Sequence, residues 1–147
     1  MNSALRIGIA GLGTVGAGVV KLLAEHGRLL ALRGGRPLKL VAASARRKAK
    51  KRDIDLSGVR WENDPMALAT APDIDVVVEL IGGSSGVARR LVQKALASGK
   101  HVVTANKALL AMHGTEIAMA AEKKGSILAF EAAVAGGIPL IKALREG

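Results

Sequence analysis

At 147 residues the chain is long enough for one domain with a proper core and too short for two of ordinary size. Half of it is hydrophobic, but with one Phe, one Trp and no Tyr the core has to be aliphatic, and with no cysteine a disulfide framework is excluded. A formal charge of +10 asks for an anionic partner, yet six of the seven residues from Arg46 to Arg52 are basic, so the excess is local.

The first predicted element is the strand Leu5-Arg6-Ile7-Gly8-Ile9-Ala10. This apolar run is too short to span a bilayer and lacks the flanks of a secretion signal, so the protein is expected to be soluble and cytoplasmic, with no membrane partner. Gly11-Leu12-Gly13-Thr14-Val15-Gly16 follows, opening a helical pattern at Val15, Val19, Val20, Leu22 and Leu23. Strand, glycine turn and helix in that order predict a dinucleotide site. Gly11 allows the tight turn, Gly13 lets backbone approach a pyrophosphate, and Gly16 lets helix and strand pack closely. The helix N-terminus then offers free N–H groups and partial positive charge to the phosphates.

A further helical turn and a loop are expected over Gly27–Pro37, then a second strand over Leu38–Ala43. The end of that strand is where such folds discriminate cofactors: an acid binds the ribose 2′-OH, whereas an Arg accommodates a 2′-phosphate. Here it reads Ser44-Ala45-Arg46-Arg47, which favours NADP over NAD. Arg46 is read as the phosphate contact and Arg47 as intermediate, while Lys50, Lys51 and Arg52 are read as a solvated face. Nucleic acid is a poor partner for this loop, because aromatics to stack bases are lacking and the charge is confined to one place.

Residues 53–73 alternate short apolar pieces with turn formers; Val59-Arg60-Trp61 suggests a brief third strand, with Trp61 read as packing, and Asp64 is a candidate cap for a helix beginning at Pro65. Ile74–Ile81 reads as a buried parallel strand carrying Glu79, which either finds a backbone or basic partner or points into the crevice. It ends in Gly82-Gly83-Ser84-Ser85-Gly86, a second stretch of bare backbone at a strand's carboxyl end, where ligands bind in such sheets.

Val87–Ser98 is expected as a helix with Val87, Leu91, Val92, Ala95 and Leu96 on one face and Gly99 as its stop. Lys100-His101-Val102-Val103-Thr104-Ala105-Asn106-Lys107 reads as a fifth strand with Lys107 just past its end; by position alone Lys107 is a surface lysine. His26, His101 and His113 show no metal spacing and are assigned structural or surface roles. A helix over Gly114–Lys124, a sixth strand over Ile127–Phe130 and the start of a helix from Leu140 complete the chain. The pattern is α/β: a doubly wound Rossmann fold, a mostly parallel sheet flanked by helices.

Four separated pieces resemble homoserine dehydrogenase of the bacterial type: residues 11–16, Val78-Glu79-Leu80-Ile81-Gly82-Gly83, the run from Lys100 to Lys107, and Phe130-Glu131-Ala132-Ala133-Val134-Ala135-Gly136-Gly137-Ile138-Pro139. The resemblance implies an NAD(P)-binding domain over residues 1–132 and the beginning of a substrate and dimerisation domain over 133–147. The reaction it implies is hydride transfer between L-homoserine and L-aspartate 4-semialdehyde, on the way to threonine, methionine and isoleucine. It puts Thr14 and Val15 at the pyrophosphate and Arg46 near the adenosine phosphate. Gly82, Gly83, Ser84, Thr104 and Asn106 are further candidates along the cofactor, and the resemblance puts Lys107, the candidate catalytic residue, where cofactor meets substrate. It also implies a monovalent cation, sodium, at Glu131, Val134, Gly136 and Ile138.

Family members are longer, and their second essential lysine and substrate-binding acids lie beyond Gly147, so this portion is expected to be inactive alone and a homodimer or larger in full-length form. The competing reading is a free-standing NAD(P)-binding module that senses or sequesters the cofactor. Leu140, Ile141 and Leu144 at helical spacing predict association between chains.

Overall fold

Runs of β-branched residues alternate with helical patterns along the chain, and such a sequence can cover both faces of a parallel sheet. The computed structural model describes residues 3–134 and 143–144. Its strands are β1 (Leu5–Ala10), β2 (Leu38–Ser44), β3 (Arg60–Trp61), β4 (Val76–Glu79), β5 (His101–Thr104) and β6 (Leu128–Ala129). All pair in parallel, in the order β3-β2-β1-β4-β5-β6. The helices are α1 (Thr14–Gly34), α2 (Met66–Thr70), α3 (Val87–Ala97) and α4 (Lys107–Lys124), followed by a 3-10 turn at Glu131–Ala133.

Alternate residues of the strands feed two cores. On one face Ala42, Val77 and Val102 meet Leu68 of α2, Leu91, Val92, Ala95 and Leu96 of α3, and Leu109, Ile117 and Ala121 of α4. On the other, Ile7, Ile9, Ala43, Val76 and Val78 meet Val20 of α1, with Val19, Leu23 and Trp61 packed against them. The strand order reverses between β1 and β4, so a crevice opens beyond their carboxyl ends. Among the described residues no helix is long and apolar enough to cross a membrane.

The departures from the predicted elements have local causes. Helix α1 runs unbroken through Gly27 and stops at Gly35, whose φ of 69° makes a left-handed cap. Helix α4 begins at Lys107 rather than Gly114, because the Asn106 side chain accepts the Leu109 N–H at 3.1 Å and caps it there. Asp64 does act at the start of α2, its carboxylate accepting the Met66 N–H at 2.9 Å. On α3, Ala88 rather than Val87 joins the buried face, and Val87 is exposed.

Lys100, just before β5, is also buried, at 8% exposure. Its Nζ donates to the carbonyls of Ala71 and Ile74, both at 2.6 Å, and tethers the turn that leads into β4. Burial pushes its pKa below the usual lysine value.

Candidate functional site

The glycine turn after β1 is shaped by the chain's own packing at two of its three glycines. Gly11 has φ of 101°, and a Cβ there would lie 2.5 Å from the Leu80 carbonyl oxygen. A Cβ at Gly16 would run into the Gly11 carbonyl oxygen. Gly13 differs: a Cβ there meets nothing within 4 Å, so protein packing does not require a glycine and the backbone is left open to an approaching group. Gly13 caps α1 with no side-chain hydrogen bond, and the first turn of the helix carries no acid. Thr14 and Val15 lie exposed beside it. The positive end of the helix is therefore open to an anion.

A cleft of about 450 Å³ joins this turn to the end of β2. Gly11, Leu12 and Gly13 form one wall, Ser44, Ala45, Arg46, Arg47, Lys50 and Arg52 another, and Leu80, Ile81 and Val87 lie opposite. None of its lining residues is acidic and four are basic, which suits an anion larger than a single pyrophosphate. Arg46 and Arg47 are exposed, with their side chains available to such a ligand.

One reading of the basic run is corrected. Lys50 is exposed, as a solvated loop implies, and also lines the cleft. Arg52 is half-buried: Nε donates to the Leu12 carbonyl at 3.1 Å, Nη1 to that of Lys50 at 2.9 Å, and Nη2 to that of Arg47 at 2.8 Å. Its guanidinium also sits 5.7 Å from the centre of the Trp61 ring. The contacts cross up to 40 residues of sequence, which is why local pattern gave no sign of them.

Around the other half of the crevice the polar side chains are tied to one another. Glu79 is fully buried; Oε1 accepts the N–H groups of Ile81 at 2.7 Å and Gly82 at 3.1 Å, and Oε2 accepts the Thr104 hydroxyl at 2.6 Å. The alternatives for Glu79 thus resolve to backbone and hydroxyl partners, with no basic one among the described residues. Thr104 Oγ1 in turn accepts the Asn106 N–H at 3.0 Å, and Asn106 Nδ2 donates to the Gly83 carbonyl at 2.8 Å. Two of these bonds, from Thr104 to Glu79 and from Asn106 to Gly83, span the gap between β4 and β5, so the network sets the Gly82–Gly86 turn against the start of α4. Gly82, Gly83 and Gly86 all have positive φ, and Ser84 is half-buried between them.

Thr104 and Asn106 accordingly spend their side chains inside the protein, leaving backbone and positioning as what they offer a ligand. Lys107, at the first position of α4, is exposed. A lysine at the positive end of a helix is opposed by the macrodipole, by about 0.3–1 kcal/mol, so helix stability is no reason for it to stand there.

At the chain's far end Glu131 is exposed and Val134 half-buried, while Gly136 and Ile138 lie outside the described residues. Among the described residues no three His, Cys, Asp or Glu side chains form a group fit for a metal ion. His101 has a structural role, its Nδ1 accepting the Ile127 N–H at 3.0 Å.

Comparison with known proteins bears on this geometry. The family profile described as "Homoserine dehydrogenase, NAD binding domain" matches residues 11–131. A homoserine dehydrogenase of Pseudomonas aeruginosa is 52% identical over 143 residues, covering 97% of this chain and 32% of its own length. One of Neisseria gonorrhoeae is 49% identical over the same coverage. A crystal structure of a homoserine dehydrogenase from Thiobacillus denitrificans superposes with a TM-score of 0.90 at 47% identity, over 99% of this chain and 33% of that one. The chain thus spans about a third of the length of the relatives it matches.

Proposed function

Since the chain belongs to the homoserine dehydrogenase family, through its NAD-binding domain, we propose that it is the cofactor-binding portion of an enzyme that interconverts L-homoserine and L-aspartate 4-semialdehyde, with NADP preferred over NAD. One observation carries the cofactor half of this reading: the glycine turn and the end of β2 share a cleft lined by four basic residues and no acid. A ribose 2′-OH would find no carboxylate there, whereas a 2′-phosphate would find Arg46 and Arg47. The bound nicotinamide supplies or accepts the hydride.

The chain's own residues prepare that step. The bare backbone at Gly13 and the uncapped start of α1 receive the pyrophosphate, with Thr14 and Val15 beside it. The turn from Gly82 to Ser84, held by Glu79, Thr104 and Asn106, would let the cofactor approach its bare backbone. Lys107 Nζ stands at the junction with substrate and helps move the proton of the reacting hydroxyl. Its support is the family motif together with its cost to the helix.

Residues 1–132 form the nucleotide-binding domain in this reading, and 133–147 begin the substrate and dimerisation domain of a cytoplasmic homodimer or larger assembly. A sodium ion at Glu131, Val134, Gly136 and Ile138 is proposed from the resemblance, and no step depends on it.

Calorimetric titration of the chain with NADPH and NADH, repeated after Arg46→Ala, tests the proposal. Loss of Arg46 is expected to weaken NADPH binding by about 1.5–3 kcal/mol, the worth of a charged hydrogen bond, and to leave NADH nearly unchanged. Equal losses for both cofactors would sink the 2′-phosphate assignment.

A further inference from the structure

Arg52 is the last basic residue of the 46–52 run, and three of its properties separate it from the rest. Its guanidinium donors are directed at main-chain carbonyls: Leu12 in the glycine turn, and Arg47 and Lys50 in the basic loop, with a longer contact of 3.5 Å to Lys48. Its guanidinium carbon lies over the Trp61 ring, 5.7 Å from the centre, on the strand that pairs with β2. It is half-buried while Arg46, Arg47 and Lys50 are exposed.

A guanidinium has five N–H donors in one plane. With most of them committed to the backbone, Arg52 is poorly placed to hold a phosphate itself. What it does hold is the loop that carries the residues able to do so. That loop is crowded with like charge, which favours spreading it into solvent. Bonds from one rigid fork to three of its carbonyls oppose the spreading, and the bond to Leu12 fixes the loop relative to the pyrophosphate turn.

We infer that Arg52 is a positioning residue for cofactor choice: it fastens the Arg46–Lys50 loop to the glycine turn, and so holds Arg46 and Arg47 at the distance from the turn that a 2′-phosphate requires. The inference rests on the 2′-phosphate reading of Arg46 given above. Lysine cannot substitute, because a single ammonium neither spans separate carbonyls in a plane nor stacks on the indole in the same way.

The adenosine half of the cleft can be probed without nicotinamide, using 2′,5′-ADP and 5′-AMP as ligands in calorimetry. The unaltered chain, Arg46→Ala, Arg52→Met, Arg52→Lys and the double variant Arg46→Ala/Arg52→Met are compared, with thermal unfolding recorded for each. The unaltered chain should prefer 2′,5′-ADP by at least about tenfold, the scale of one charged hydrogen bond. Arg46→Ala, Arg52→Met and Arg52→Lys should each lower that ratio toward one. The double variant should lose less than the two single losses multiplied together, since Arg52 acts through Arg46 and Arg47 and the two losses are then not independent.

Trypsin gives a second readout free of any ligand: cleavage after Arg47, Lys48, Lys50 and Lys51 should be about tenfold faster in Arg52→Met, the signature of a released loop. A ratio lowered by Arg46→Ala but kept in Arg52→Met would overturn the positioning role alone. Losses that multiply in the double variant would overturn it in favour of a direct phosphate contact by Arg52. A ratio unmoved by Arg46→Ala, or no preference in the unaltered chain, would remove the 2′-phosphate reading and this inference with it. Loss of preference with an unchanged tryptic pattern would show that Arg52 does not hold the loop.

Discussion

Each glycine of the turn answers to a different neighbour. Gly11 and Gly16 are required by atoms of the protein, the Leu80 and Gly11 carbonyls, while Gly13 faces open space. Adding one methyl group therefore tests two different things. Gly16→Ala is expected to destabilise the fold by about 1–3 kcal/mol, the usual cost of overpacking, seen as a lower urea midpoint. Gly13→Ala should leave the midpoint within about 0.5 kcal/mol of the unaltered chain, because its φ of −77° suits any residue and no atom is in the way. Its effect should appear in binding, as a loss of cofactor affinity of about tenfold or more. An equal drop in stability from both substitutions would mean that Gly13 is structural after all.

At the level of elements, the register of β1 against β4 is pinned by an ion pair as well as by the ladder. Asp75 accepts from the Arg6 backbone N–H at 2.8 Å and from its guanidinium at 2.6 and 3.0 Å. The hydrogen bonds from the Arg6 side chain hold the carboxyl at a pKa of about 2, below its ordinary 3.8. A depressed carboxylate contributes stability above the ordinary value and loses it as pH falls through the folded one. The stability difference between the unaltered chain and Asp75→Asn, measured by urea unfolding, should thus be constant at neutral pH and shrink between about pH 4 and pH 2. A difference that does not change over that window would show that the pair adds no charge-dependent stability. Both partners stand before the cores of their strands, far from the cleft, so cofactor affinity at neutral pH serves as the control for fold.

For the whole molecule, the relevant fact is that the chain spans about a third of its relatives' length. Hydride transfer needs the reacting carbon held near 3–3.5 Å from the nicotinamide, and positioning of that quality can account for several kcal/mol of the barrier. In the proposed reading, the cleft between the glycine turn and the end of β2 provides for the nucleotide half of that geometry. The expected outcome is tight binding of NADPH, visible as a rise in unfolding temperature with cofactor concentration, together with homoserine oxidation at background. Turnover clearly above background by the 147-residue chain would refute the division of labour proposed between this portion and the rest. Leu144 is exposed, while Leu140 and Ile141, the other residues on which association between chains was predicted, lie outside the described residues.

What the amino-acid sequence determined by itself was whatever depends on neighbours within about a turn of chain. The strand, glycine turn and start of α1 are encoded in residues 5–23, and the absence of an acid after β2 is visible in four consecutive residues. Glycine-stopped helices were legible for the same reason, since a left-handed cap at Gly35 or Gly125 is a property of one residue's backbone. The start of α4 was missed although its signal, Asn106 three residues before Leu109, was local; the internal Gly114 read as a boundary instead.

Only the tertiary structure decided the partners of buried polar groups. Glu79 and Thr104 are 25 residues apart, Lys100 and Ile74 26, Arg52 and Leu12 40, and nothing within either short stretch specifies the other. A polar group withdrawn from water must find a hydrogen bond somewhere, at a cost of roughly 1–3 kcal/mol if it does not. Which group it finds depends on how the strands are ordered, and that is why the residues that shape the cleft from behind were not visible in the chain read as a line.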